Sequence, residues 1–198
     1  MPRAKSFERE EAIELAKKVF WKHGYNTLGI RGIEQKTGLG RFAINNQFGG
    51  KEGLLLGALE QYLADGDGYI LEPLREGQDL SAVEAVIMSL VEEADDSYLP
   101  YGCLVLNTVI ENSSRPSEKV KERTDEFYAE LRSTLRAYFD RLKQSGAILR
   151  DVPTSEMVEF VVGATIAINF MNRDAGKVAA GLGFAKSAVR TIRGWAAP

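Results

Sequence analysis

The sequence predicts an all-α fold, and three observations predict it. Apolar residues recur at helical spacing along most of the 198 residues, no run alternates apolar and polar residues long enough to make a convincing strand, and Pro73, Pro100, Pro116 and Pro153 stand near breaks between periodic segments. A chain this long builds one large domain or two small ones, and its 44% hydrophobic and 27% charged residues are an ordinary globular mixture.

Each element follows in order. Ser6 can cap a first helix whose early turns carry Glu8, Glu10 and Glu11, the sign that suits a helix N-terminus; Ile13, Ala16, Val19 and Phe20 form its inward stripe, and Gly24 ends it. Two short helices are expected over 30–37 and 40–47, separated by a tight Gly38-Leu39 turn, and a longer one from Lys51 towards Leu71. Further helices are expected near 81–97, 102–112, 117–144, 154–172 and 184–196. Phe127, Leu131, Leu135, Tyr138 and Leu142 share one face of the 117–144 helix, a seam that reads as core before it reads as a ligand wall. The 154–172 segment is apolar nearly all round, so both sides need cover, and a second copy of the chain is the simplest cover. Val161, Ala164, Thr165 and Ile168, with Val189 and Ile192 from the last helix, are the expected dimer contacts. The division expected is a head of residues 1–50 and a helical body of residues 51–198.

Charge sharpens that division. Residues 1–51 hold ten Lys/Arg against five Glu, a balance of +5, whereas the remainder holds fifteen against twenty-three, a balance of −8. A basic head suggests an anionic partner. One histidine, His23, and one cysteine, Cys103, leave little from which to build a metal site, a His-paired triad or an intrachain disulfide. Glu92-Glu93 and Asp95-Asp96 are adjacent and so do not face each other on a helix, and no phosphate-cradling glycine loop accompanies them. No enzyme activity, metal or cofactor is expected. The N-terminus has no signal-like apolar stretch and the apolar run 158–171 is short for a bilayer, so a cytoplasmic protein without a membrane partner is expected.

The 30–47 pair has the form of a helix-turn-helix, whose second helix enters the major groove of DNA while the first braces it. Ile30, Ile33, Leu39, Ile44 and Phe48 would face inward, leaving Arg41, Phe42, Asn45, Asn46 and Gln47 outside. Arg, Asn and Gln are the side chains that pair bidentately with guanine and adenine edges, although on an isolated helix the same residues would read as a solvated face. Lys51 opens the next helix, where an ammonium and backbone N–H groups suit a phosphate. Arg31 and Gly40 complete the candidate DNA-contacting set. Lys17, Lys18 and Lys22 read as solvent-facing, and His23 as a residue complementing a helix C-terminus.

Across about residues 10–60 the chain resembles the tetracycline-repressor (TetR) family of bacterial transcription regulators. Ala12, Ala16, Phe20, Gly24-Tyr25, Ile30-Arg31, Ile33, Thr37-Gly38-Leu39, Ala43-Ile44, Phe48 and Lys51-Glu52-Gly53-Leu54-Leu55 stand in the family's order and spacing. The resemblance implies a DNA-binding head on double-stranded operator DNA, a divergent body that takes a small-molecule effector, and a homodimer built on the last two long helices. Several positions depart from the pattern. Asn45 stands where Tyr is common, Leu28 and Gly29 replace a Thr/Ser pair that meets phosphate, and Glu34 and Phe42 each replace a small residue. Fewer hydroxyl contacts to the backbone would result, and Glu34 would repel phosphate if it pointed that way. A helical small-molecule-binding protein that has lost DNA binding is therefore the rival reading. Tyr98, Tyr101, Cys103 and Asn107, near the Pro100 break, with Tyr128 on the long helix, are the candidate effector contacts; packing is the equal alternative. Cys103 reads either as a buried inert thiol or, near a helix N-terminus, as a reactive one.

Overall fold

The structure, a computed structural model, describes residues 9–92, 99–114 and 116–198. Nine α-helices run in order among them: α1 (Arg9–His23), α2 (Ile30–Thr37), α3 (Arg41–Phe48), α4 (Lys51–Glu76), α5 (Ser81–Ser89), α6 (Leu104–Asn112), α7 (Glu118–Ser145), α8 (Thr154–Ala175) and α9 (Leu182–Arg193). Short 3₁₀ turns at Leu99–Tyr101 and Val178–Gly181 precede α6 and α9. The one extended pairing among the described residues is an antiparallel bridge between Ile148 and Ala196.

The chain divides into two compact units. The first holds Met1–Asp65 and Leu104–Thr124, so α6 belongs with the head helices. Its core is Ala12, Ala16 and Phe20 from α1, Ile33 from α2, Leu39 from the turn, Ile44 and Phe48 from α3, and Leu54, Leu55, Ala58 and Leu59 from α4. These are the apolar positions of the helix-turn-helix pattern, each facing inward as its spacing requires. Gly24 (φ +81°) and Gly38 (φ +74°) end α1 and α2 in the left-handed conformation that side chains resist. Gly53 is required for another reason: a Cβ there would lie 1.8 Å from the Phe48 carbonyl oxygen, so only glycine lets α4 start this close to the end of α3.

The second unit comprises Gly66–Cys103 and Asp125–Pro198. The 127–142 seam does form core: Leu131, Leu135, Tyr138 and Leu142 are buried with Val83 and Ile87 of α5, Met157, Val161 and Ile168 of α8, and Ala188 and Ile192 of α9. Trp195 closes it edge-on against Phe139 (5.7 Å) and Phe160 (5.5 Å). Asn172 is fully buried and satisfied, its Nδ2 donating to the Leu90 carbonyl (2.8 Å) and its Oδ1 accepting from the Gly181 N–H (3.0 Å).

Several boundaries differ from expectation. α4 continues past Leu71 and through Pro73 to Glu76, because Leu71 and Leu74 are buried and their packing outweighs the single bond that proline removes in a last turn. α5 stops at Ser89 and not near 97: the Ser89 hydroxyl bonds back to Val86 and the Asn172 amide takes the Leu90 carbonyl. The last helix starts at Leu182 and ends at Arg193. Ser6, the expected cap of α1, lies outside the described residues.

Candidate nucleic-acid interface

α3 is amphipathic over only eight residues. Ile44 and Phe48 are buried one turn apart, and Arg41, Phe42, Asn45, Asn46 and Gln47 are all exposed on the remaining surface. Arg31 on α2 and Gly40 at the start of α3 are exposed as well. Lys51 is half-buried, with its ammonium 3.9 Å from the centre of the Tyr25 ring. Tyr25 in turn has its hydroxyl pKa raised by burial and by the nearby Glu52 carboxylate. Of the expected DNA-contacting residues, seven thus lie on exposed surface of the head, and the eighth is steadied by a cation–π contact.

Both ends of α3 are fixed by charged side chains that sequence reasoning did not assign. Glu34 accepts a hydrogen bond from the first N–H of α3, that of Arg41, at 2.6 Å. Its carboxylate turns to the positive end of α3, where it neutralises a helix N-terminus that carries no side-chain cap from Gly40. At the other end the Arg9 guanidinium donates to the Gln47 carbonyl and lies 4.8 Å from the centre of the Phe48 ring. Neither contact has a local signature, since Glu34 sits seven residues before its partner and Arg9 thirty-eight. α2 has an uncapped Gly29 at its start, as the departures from the family pattern implied, and Leu28 is spent on packing.

One expectation is corrected. Lys17 is not solvent-facing: it is 7% exposed and its ammonium bridges Glu14 (2.5 Å) and Asp65. Burial alone would lower its pKa, and the two carboxylates more than offset this, so the net direction is upward. His23 lies in the last turn of α1, as expected, and burial and then the charges of Lys36 and Lys22 push its pKa down. Lys18 pairs with Glu14 and Lys22 is exposed.

Within the first unit, the turn after α1 is latched to the end of α6. The Asn26 backbone N–H donates to the Glu111 carboxylate (2.6 Å), and its Nδ2 donates to the Glu111 carbonyl (2.7 Å) and the Ser114 hydroxyl (3.2 Å).

In the second unit, Tyr101 is half-buried and its carbonyl accepts from Arg173 (2.9 Å), while Gly102 (φ +69°) brings the chain so near α8 that a Cβ would lie 2.7 Å from the Asn169 carbonyl oxygen. Cys103 and Tyr128 are both half-buried, and the Tyr128 pKa is raised by burial first and then by the neighbouring Cys103. Asn107 is buried on α6, in the first unit, and Tyr98 lies outside the described residues. A cleft of about 330 Å³ elsewhere in the second unit is lined by Asp79, Leu80, Ser81, Glu84, Ala147, Arg193 and Ala196, none of them an expected effector contact.

The expected dimer contacts lie mostly in the core of their own unit. Val161, Ala164, Ile168, Val189 and Ile192 are buried within their own unit and Thr165 is half-buried, so the inward side of α8 is covered by α7 and α9 of the same chain. The uncovered apolar side is the opposite one: Phe170 is 57% exposed, and Met171, Phe184 and Gly163 are exposed with it. Among the described residues no group of side chains is suited to hold a metal ion, and no helix is long and apolar enough to cross a membrane.

Comparison with known proteins places these features in a family. The model described as "Bacterial regulatory proteins, tetR family" matches residues 12–58, and the model "Tetracyclin repressor-like, C-terminal domain" matches residues 79–181, over half of the chain. Among curated relatives, the chain is similar to the HTH-type transcriptional repressor ComR of Escherichia coli, 24% identical over 80% of this chain and 76% of that protein. It is likewise 24% identical to the repressor AcnR of Corynebacterium glutamicum, over 83% and 80%. Among solved structures, a TetR transcriptional regulator from Chloroflexus aurantiacus superposes with a TM-score of 0.81 at 21% identity over 95% of each chain. The regulator CifR in complex with a 26-base-pair operator duplex superposes at 0.81, with 22% identity over 98% and 99%.

Proposed function

This chain belongs to the tetracycline-repressor family and is a DNA-binding transcriptional regulator, and from that premise we propose how it works: as a homodimeric repressor that inserts α3 into the major groove of a two-fold operator and leaves it when a small molecule binds. The observation that carries the reading is α3 itself, with Arg41, Asn45, Asn46 and Gln47 exposed on a helix pinned at both ends. Residues 1–50 are assigned to DNA reading and residues 51–198 to the effector and the dimer. Arg41, Asn45, Asn46 and Gln47 supply base-edge contacts, and Arg31, Lys51 and the Gly40 backbone meet phosphates. With Glu34 neutralising the start of α3, phosphate binding falls to side chains more than to that helix terminus.

For the dimer we assign the exposed side of α8 and α9, centred on Phe170, Met171 and Phe184, with Gly163 permitting close approach. Within the second unit, Tyr101, Cys103 and Tyr128 are the assigned effector contacts, suited to a small, largely apolar molecule with a few hydrogen-bonding groups. Any effector-driven shift of α6 reaches the head through the Glu111–Asn26 latch; release requires that the effector favour the geometry that misfits the operator.

The test is fluorescence anisotropy on a duplex bound by the protein, across a salt series. Each neutralised phosphate adds about −0.9 to the slope of log K against log salt, so Lys51→Ala should flatten the plot by about one unit. Arg41→Ala should cost about 1–3 kcal/mol and relax preference at one position per half-site. An unchanged slope and unchanged preference in these two variants would overturn the assignment of α3.

A further inference from the structure

Phe42 is the most exposed large apolar side chain in the described structure, at 80%. It occupies the second position of α3, in the first turn, from which a recognition helix reaches base edges. Helical geometry puts Asn45 and Asn46, three and four residues on, on the same face, so a phenyl ring and two amides share that face of α3. An amide of this kind pairs with the N6 and N7 edge of adenine, and the apolar feature that the major groove offers is the 5-methyl group of thymine. Among the described residues the ring is left largely open, because the inward positions of α3 are taken by Ile44 and Phe48. A ring left in water at such a position gains further by burial when the groove presents a methyl group to it.

Resting on the assignment of α3 to DNA, we propose that Phe42 is a specificity-determining residue that selects thymine by its 5-methyl group, next to an adenine read by Asn45 or Asn46. The discrimination comes from apolar contact in place of a hydrogen bond. Burying one methyl group is worth about a four-fold change in affinity, so the same contact in both half-sites is worth about fifteen-fold.

The experiment uses the full-length chain and the duplex it enriches from random DNA. Each thymine is replaced in turn by deoxyuridine, symmetrically in both half-sites, which removes the methyl and keeps the base pair. At one thymine position, flanking an adenine, wild type should bind about fifteen-fold more weakly, and Phe42→Ala should show no difference between the two duplexes while Phe42→Leu keeps part of it. Circular dichroism of Phe42→Ala should match wild type, since the ring is left largely open. A deoxyuridine scan without a sensitive position, or a sensitive position that persists in Phe42→Ala, would overturn the proposal and leave the assignment of α3 standing. Failure to enrich any sequence would overturn both.

Discussion

Replacing Gly53 with alanine tests the geometry of the head most severely. The added Cβ would lie 1.8 Å from the Phe48 carbonyl oxygen and 3.0 Å from its carbonyl carbon, and both are backbone atoms that cannot swing away. Either α4 must move off the end of α3 or α3 must tilt. Overpacking of this kind costs about 1–3 kcal/mol, with a rigid backbone at the upper end. Alanine returns up to about 1 kcal/mol through its better helix propensity, which leaves a net loss of about 2 kcal/mol. For a chain of this size that lowers the melting temperature by about 4–8 °C. Gly66, in the same helix, is the control: a Cβ there meets nothing within 4 Å, so Gly66→Ala should raise stability by up to about 1 kcal/mol. Thermal melts followed by circular dichroism compare the two, and operator affinity should fall for Gly53→Ala alone. Equal melting temperatures for the two variants, or a Gly53→Ala protein more stable than wild type, would refute the close approach of α3 and α4.

Phe170→Glu should give a folded monomer by light scattering and circular dichroism, because the residue is exposed in its own subunit, whereas Ile168→Glu buries a charge in that subunit's core and should unfold it. The Asp65 carboxyl would be raised by burial, but its hydrogen bonds to Lys17 and Gln61 hold it below its ordinary value of 3.8, so this contribution is present above that value and is lost as pH falls through the depressed one. Melting temperature should accordingly drop on acidification below about pH 4, and Asp65→Asn should flatten that limb. Glu111→Ala removes the acceptor of the Asn26 N–H and should speed hydrogen exchange around residues 24–28 by about ten-fold or more, with a weaker response of DNA binding to effector.

The fold was legible because its signals are local. The spacing of Ile33, Leu39, Ile44 and Phe48 places α2, the turn and α3 without tertiary information, and 30–37 matches the observed helix residue for residue. What was hidden depends on contacts distant in sequence. Glu34 carries the same charge whether it faces DNA or caps α3, and only the folded turn brings it to Arg41. Lys17 reads as surface until Asp65, forty-eight residues on, arrives beside it. The all-round apolarity of α8 predicts a need for two covers, but which side turns to α7 and α9 and which stays open is a rotation about the helix axis that composition does not encode. Pro73 reads as a stop from sequence, because a local rule cannot weigh the burial of Leu71 and Leu74 against it.

Selection of bound sequences from a random double-stranded DNA library by the purified full-length chain tests the central claim most directly. The account predicts one enriched motif with two-fold symmetry, its half-sites spaced by about one helical turn or a multiple of it. Arg41→Ala should relax one position in each half of that motif. Recovery of no enriched sequence, with the protein folded and dimeric, would contradict the account and favour a helical small-molecule-binding protein that no longer reads DNA.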